Sequence, residues 1–174
     1  MECQMNRSKK IIIYALAYSI ALVLFIFMCH RLFDFYSETE ILEHPSVEYN
    51  SFVNIWKHNT QNFISYMLVF PIYPVLILMD FIGSAMPIVA SIEINGVSKT
   101  LIALLPHGII EIPNFILYSF LSGEMFLIFW RTRNLSIFNE IKKRRYYYLI
   151  SYLLLIVAAA VEGMVTPIIL KQIN

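Results

Sequence analysis

Three side chains in apolar surroundings have the types and spacing to do chemistry: His107, Glu111 and Glu162. An ionisable group inside a hydrophobic segment is costly, and such groups turn toward the interior of a helix bundle or a watery cavity. His107 and Glu111 are four residues apart, so a helix presents both on one face. Pro106 stands directly before them, where its missing N–H costs nothing if a helix starts there. As a catalytic set, Glu111 or Glu162 would be the base, and His107 a base or a ligand. One histidine and two carboxylates are also zinc ligands by type. However, His-x-x-x-Glu lacks the second histidine of the His-Glu-x-x-His signature, so a divalent metal such as zinc is not the favoured reading. The plainer alternative is an interhelical hydrogen-bond cluster that fixes packing. From the residues alone, chemistry and packing both stay open.

The elements that must hold these groups are membrane helices. Of the 174 residues 59% are hydrophobic and only 14% charged, where soluble domains carry about 25% charge. So few polar residues cannot cover a water-facing surface, whereas lipid calls for an apolar one. The sequence therefore predicts an all-α integral membrane protein: one transmembrane domain over 1–174, a bundle of about five helices. The expected spans are about 11–33, 59–79, 80–94, 101–130 and 146–170, the third short or broken. Net charge is +1, which gives no basic field for nucleic acid. The first run is long for a signal peptide and no small-residue cleavage site follows it, so it reads as an uncleaved signal anchor.

Charge fixes the number of crossings. Arg7, Lys9 and Lys10 precede the first span, and the loop 131–145 carries Arg131, Arg133, Lys142, Lys143, Arg144 and Arg145 against Glu140 alone. Lys and Arg stay cytoplasmic in short loops, so an even number of crossings must separate these two clusters. Counting 80–94 as a span restores that parity; a re-entrant loop there is the rival. The expected protein lies in a bacterial cell membrane with its N-terminus cytoplasmic and the acidic stretch 34–57 outside. If the fourth helix begins at Pro106, Glu111 lies about 7 Å down it, and Glu162 lies about 12 Å below the end of the fifth, at 1.5 Å per residue. The two acids then share a depth in the outer half of the membrane.

Other polar residues receive plainer readings. Asn59 and Asn62 open the second span and cap it. Asp80 sits at the inner turn, and Glu124 snorkels or pairs with Arg131 or Arg133. His30, His44 and His58 are structural, as are Cys3 and Cys29, too few for a metal cluster. Tyr146, Tyr147 and Tyr148 form an interfacial belt beside the basic loop. No Gly-x-Ser-x-Gly, Walker loop or Gly-x-Gly-x-x-Gly occurs, so an energised process would need a partner's nucleotide site.

The segment Leu105-Pro-His-Gly-Ile-Ile-Glu-Ile-Pro113 resembles the signature of the stage II sporulation protein M family. Trp56-Lys-His-Asn59, with Asn62, resembles the asparagine-bearing entry to that family's second span. Ala158-Ala-Ala-Val-Glu-Gly-Met-Val-Thr-Pro167 is similar to its last-span motif. Asp80-Phe-Ile-Gly83 departs from the usual Asn-Gly-x-x-x-Gly. The resemblance covers about Phe52 to Thr166 and implies five spans. It also places His107, Glu111 and Glu162 in family motifs, without implying a shared mechanism. One setting it implies is a membrane scaffold for cell-wall hydrolases during sporulation engulfment. The other is circular bacteriocin production, in which small members serve maturation, secretion or producer immunity. The partners it implies there are an ABC-type ATPase or other membrane subunit, a hydrophobic peptide substrate, and membrane lipid. The small size and short tails fit the second setting better.

Overall fold

The longest element of the computed structural model is one helix of 60 residues, α3 (Tyr73–Thr132), interrupted only at Gly96. The structure describes residues 6–32, 49–133, 137–166 and 168. Gly96 has φ 78° and ψ 162°, a conformation open to glycine and strained for side-chain-bearing residues. The chain reverses there, and the two arms of α3, 73–95 and 97–132, run back along each other. Ser91 and Thr100 hydrogen-bond across this hinge at 2.9 Å.

The remaining elements are α1 (Arg7–Leu32), α2 (Tyr49–Leu68), the short α4 (Ile137–Lys143) and α5 (Arg145–Ala160). A 3-10 turn, Phe70–Ile72, joins α2 to α3, and α5 continues as a π-helical turn, Val161–Val165. Side-chain pairs set the directions. Arg7 meets Glu124 and Tyr14 meets Ser119, so α1 is antiparallel to the second arm. Tyr18 stacks near Phe81 and His30 pairs with Glu93, so α1 is parallel to the first arm. Asn59 meets Glu111 and Phe70 meets Phe129, so α2 is parallel to the second arm. Ser151 meets Asn114 and Arg144 meets Glu124, so α5 is antiparallel to it. Five helical segments thus alternate in direction.

Among the described residues four stretches are long and apolar enough to cross a membrane: Arg7–Leu32, Phe70–Pro106, Gly108–Thr132 and Arg145–Val165. Their outward residues are apolar, as lipid demands: α1 exposes Ile12, Leu16, Ile20, Val23 and Phe27 and buries only Tyr18 and Cys29. The chain is therefore a multi-pass membrane protein of all-α class. The least apolar of the long helices, α2, packs against α5 and both arms of α3. The core is aromatic, with Phe63, Tyr66, Phe70, Tyr118, Phe120 and Tyr148 gathered around Leu121 and Met125. A smaller cluster near the hinge brings Cys29 against Ala85 and Val89, small residues that let helices approach closely.

Several boundaries move. The second helix starts at Tyr49, ten residues earlier than hydropathy suggests, because Trp56, Phe63 and Tyr66 face protein rather than lipid. The turn falls at Phe70–Ile72, beside Pro71 and Pro74, instead of at 79–80. The run 80–94 is therefore the continuation of a helix that begins at Tyr73, roughly 35 Å from there to the hinge at 1.5 Å per residue. Pro106 and Pro113 lie inside the second arm and start nothing. Each removes one hydrogen bond to the carbonyl four residues before it, a loss that neighbouring helices make tolerable in a membrane. Of the acidic stretch 34–57, residues 34–48, His44 among them, lie outside the described residues, as do Cys3 and the chain beyond 168.

Both basic clusters do lie at one end of the bundle. Arg7 Nη2 reaches Glu124 Oε2 at 2.8 Å and Arg144 Nε reaches the same oxygen at 3.3 Å. Glu124 therefore pairs with these arginines rather than with Arg131 or Arg133. Arg144 also binds Glu140, which accepts from Lys143 at 2.6 Å. The Lys143 and Arg144 contacts hold the Glu140 carboxyl below the usual carboxylate range. The tyrosine belt splits. Tyr146 is exposed and Tyr147 stacks under Arg7, but Tyr148 is core, its hydroxyl donating to Met125 Sδ at 2.9 Å.

Candidate functional site

Glu111 sits on the second arm of α3, between the two helix-interior prolines 106 and 113. It is half-buried, and its Oε1 accepts from Asn59 Nδ2 at 3.1 Å. Asn59 lies in the middle of α2, so it is no cap; it is the polar partner that anchors Glu111. Glu162 comes from the opposite direction, on the π-helical turn that ends α5. It is also half-buried and lies within electrostatic reach of Glu111. Among the described residues it has no hydrogen-bond or ion-pair partner.

The π turn is what places Glu162. A single turn of wider helix shifts the residues after it around the axis, and such turns recur at functional sites. Gly163 allows it to dock: a Cβ there would come 2.9 Å from both the Cα and the N of Phe52 on α2. The glycine thus brings the last turn of α5 onto the α2 backbone, two turns from Asn59. α2, α3 and α5 each contribute one polar side chain: Asn59, Glu111 and Glu162.

His107 lies on the same arm as Glu111, one turn nearer the hinge, and its side chain falls outside the described residues. Among the described residues no three histidine, cysteine, aspartate or glutamate side chains converge as a metal would require. The zinc set of His107, Glu111 and Glu162 therefore depends on a side chain the structure does not describe.

Two further polar atoms belong to this neighbourhood, one on Trp56 of the entry motif and one on Thr60, which no motif contains. Trp56 Nε1 and Thr60 Oγ1 are buried without a hydrogen-bond partner among the described residues. Together with Asn59 they occupy positions i, i+3 and i+4 of α2, one face of the helix. Buried polar groups are nearly always paired, so a face with two orphaned atoms beside a carboxyl is unusual.

Deeper in the bundle, polar contacts continue along the same side of the second arm. Ser151 Oγ donates to Asn114 Oδ1 at 2.6 Å. Tyr66 donates its hydroxyl to Asp80, which therefore lies within the bundle, two turns from the Phe70–Ile72 turn. The Tyr14 hydroxyl is 2.6 Å from both Tyr73 Oη and Ser119 Oγ. These tyrosines look like lipid-facing or core aromatics in the sequence; only the helix directions show that their hydroxyls meet.

An acidic pair held in an alternating bundle of apolar helices defines a polytopic membrane protein with a polar intramembrane centre. The chain belongs to the stage II sporulation protein M family, whose sequence profile matches residues 11–167. That match takes in α1 as well as the motif-bearing helices. Neither curated proteins nor solved structures gave a significant match.

Proposed function

We propose that the protein is a membrane component of circular bacteriocin production. In this reading it receives an apolar helical precursor within the bundle and passes it on for leader removal, ring closure or export. An ABC-type ATPase supplies the energy, since the sequence carries no nucleotide-binding loop. The observation that carries the reading is the α2 face of Trp56, Asn59 and Thr60 beside Glu111 and Glu162. Two polar atoms and the Glu162 carboxyl, without a hydrogen-bond partner among the described residues, are what a peptide's amide groups and terminus would complete. The apolar walls around them would accept its hydrophobic side chains.

Glu111 is the central group in this reading: Asn59 holds its carboxyl, and it would accept a proton or bind the substrate's amine. His107 joins it as a second base or as a ligand for a divalent metal. The test is co-expression with a precursor and its neighbouring ATPase, reading the intact mass of the secreted peptide. Ring closure joins the terminal amine and carboxyl and releases one water. Glu111→Gln should reduce circular product at least about 100-fold, the lower end of what a general acid or base contributes, while the protein remains in the membrane. Undiminished circular product in that variant would refute the reading. Resistance conferred by the chain alone in a sensitive cell would move it to producer immunity.

A further inference from the structure

At the end of the bundle opposite the hinge, Asn139, Lys142, Lys143, Arg145 and Tyr146 line a shallow cavity of about 580 Å³. It lies where α4 meets α5, outside the apolar part of α5, and on the same end as Arg7 and Glu124. The acid within reach, Glu140, is already taken by Lys143 and Arg144. Lys142 is exposed and has no ion-pair partner among the described residues. Arg145 is exposed too; it contacts Tyr146, with its Nη2 3.2 Å from the phenol oxygen and its guanidinium 5.0 Å from the ring centre. Tyr146 is 64% exposed. The cavity thus carries a net positive charge that nothing in the described chain neutralises, floored by an aromatic ring of the kind that sits at headgroup level.

Those features select a ligand. Basic pockets where helices leave the bilayer hold phosphate-bearing headgroups. An arginine fork and a lysine supply a phosphate diester with directed N–H donors and a point charge. We infer that this cavity binds the headgroup of an anionic phospholipid, with Lys142 and Arg145 as its phosphate ligands and Tyr146 against the glycerol region. The site is remote from Glu111 and does not depend on the proposed peptide role.

The full chain, purified and placed in nanodiscs of phosphatidylcholine with a minor fraction of phosphatidylglycerol, tests this by native mass spectrometry of the co-isolated lipid. The wild-type chain should retain phosphatidylglycerol over phosphatidylcholine. The double variant Lys142→Gln/Arg145→Gln should lower that preference roughly 30-fold, as expected for two basic residues at a charged headgroup surface. Both side chains are exposed, so folding should be unaffected. Lys9→Gln/Lys10→Gln removes two exposed charges from α1 at the same end and should leave the preference largely intact. Equal losses in the two double variants would overturn the site in favour of a diffuse charge effect. Displacement of phosphatidylglycerol by millimolar inorganic phosphate would overturn it in favour of a free-anion site.

Discussion

Gly163→Val should destabilise the protein by about 2–3 kcal/mol, the upper part of the range for overpacking a close contact. A Cβ at this position meets Phe52 Cα and N at 2.9 Å. Those are backbone atoms, so no rotamer change on α2 relieves the contact; α2 and the end of α5 must separate. The effect should appear as a lower apparent melting temperature of the detergent-purified protein and a smaller monodisperse fraction on gel filtration. The control is Gly83→Ala in the first arm of α3. There a Cβ has nothing within 4 Å, and replacing a mid-helix glycine by alanine gains about 0.5–1 kcal/mol. If both variants behave alike, the approach of Gly163 to Phe52 is not what holds the α2–α5 contact. Because Glu162 is the adjacent residue, Gly163→Val should also disturb the acidic pair, whereas Gly83→Ala should not.

Tyr66→Phe is the second large expectation. The Tyr66 side chain is almost fully enclosed and its hydroxyl is the hydrogen-bond donor to Asp80. Removing the hydroxyl leaves a carboxyl inside the bundle without that donor, which costs about 1–3 kcal/mol. Removing both polar partners should cost much less than the single change, because nothing is then left unpaired. Tyr66→Phe combined with Asp80→Leu should therefore recover most of the lost thermal stability. An additive double variant would mean that the two residues act independently, and that the contact contributes nothing specific.

The general architecture was legible from residues because the signals are large. Long apolar runs at 11–33 and 146–170 predict membrane helices that the structure places at Arg7–Leu32 and Arg145–Val165. The two basic clusters predict a common end, and Arg7, Glu124 and Arg144 meet there. What escaped has identifiable causes. Residues 49–57 read as part of the acidic outer stretch because Trp56 and Lys57 are polar for a span, yet they are helical in α2, where Trp56 and Asn59 turn inward while Lys57 and His58 are exposed. The turn at Phe70–Ile72 was hidden in an unbroken apolar run, since prolines 71 and 74 there look no different from Pro106 and Pro113, which lie within a helix. Glu111 and Glu162 could be named from their cost in a membrane, but the depth of Glu111 could not be read, because the arm that carries it starts at 97 and not at Pro106. Asn59 could not be paired with Glu111, nor Tyr66 with Asp80, because periodicity describes one helix at a time. Tyr148 resembled its neighbours 146 and 147, and only its packing on Met125 separates it from them.

The placement of α2 constrains how the chain can be made. Its Asn59 finds a carboxyl 52 positions downstream, on a helix that emerges from the ribosome much later. Its Phe63 packs against Tyr148 and Tyr152, later still. Until those segments arrive, α2 has only lipid or the insertion machinery as surroundings, and its polar side chains suit neither the bilayer interior nor a stable early position there. The apolar α1 can commit to the membrane as soon as it is synthesised. α2 is not among the stretches apolar enough to cross alone, so the contacts that shelter its polar side chains exist only once the second arm of α3 and α5 have been made.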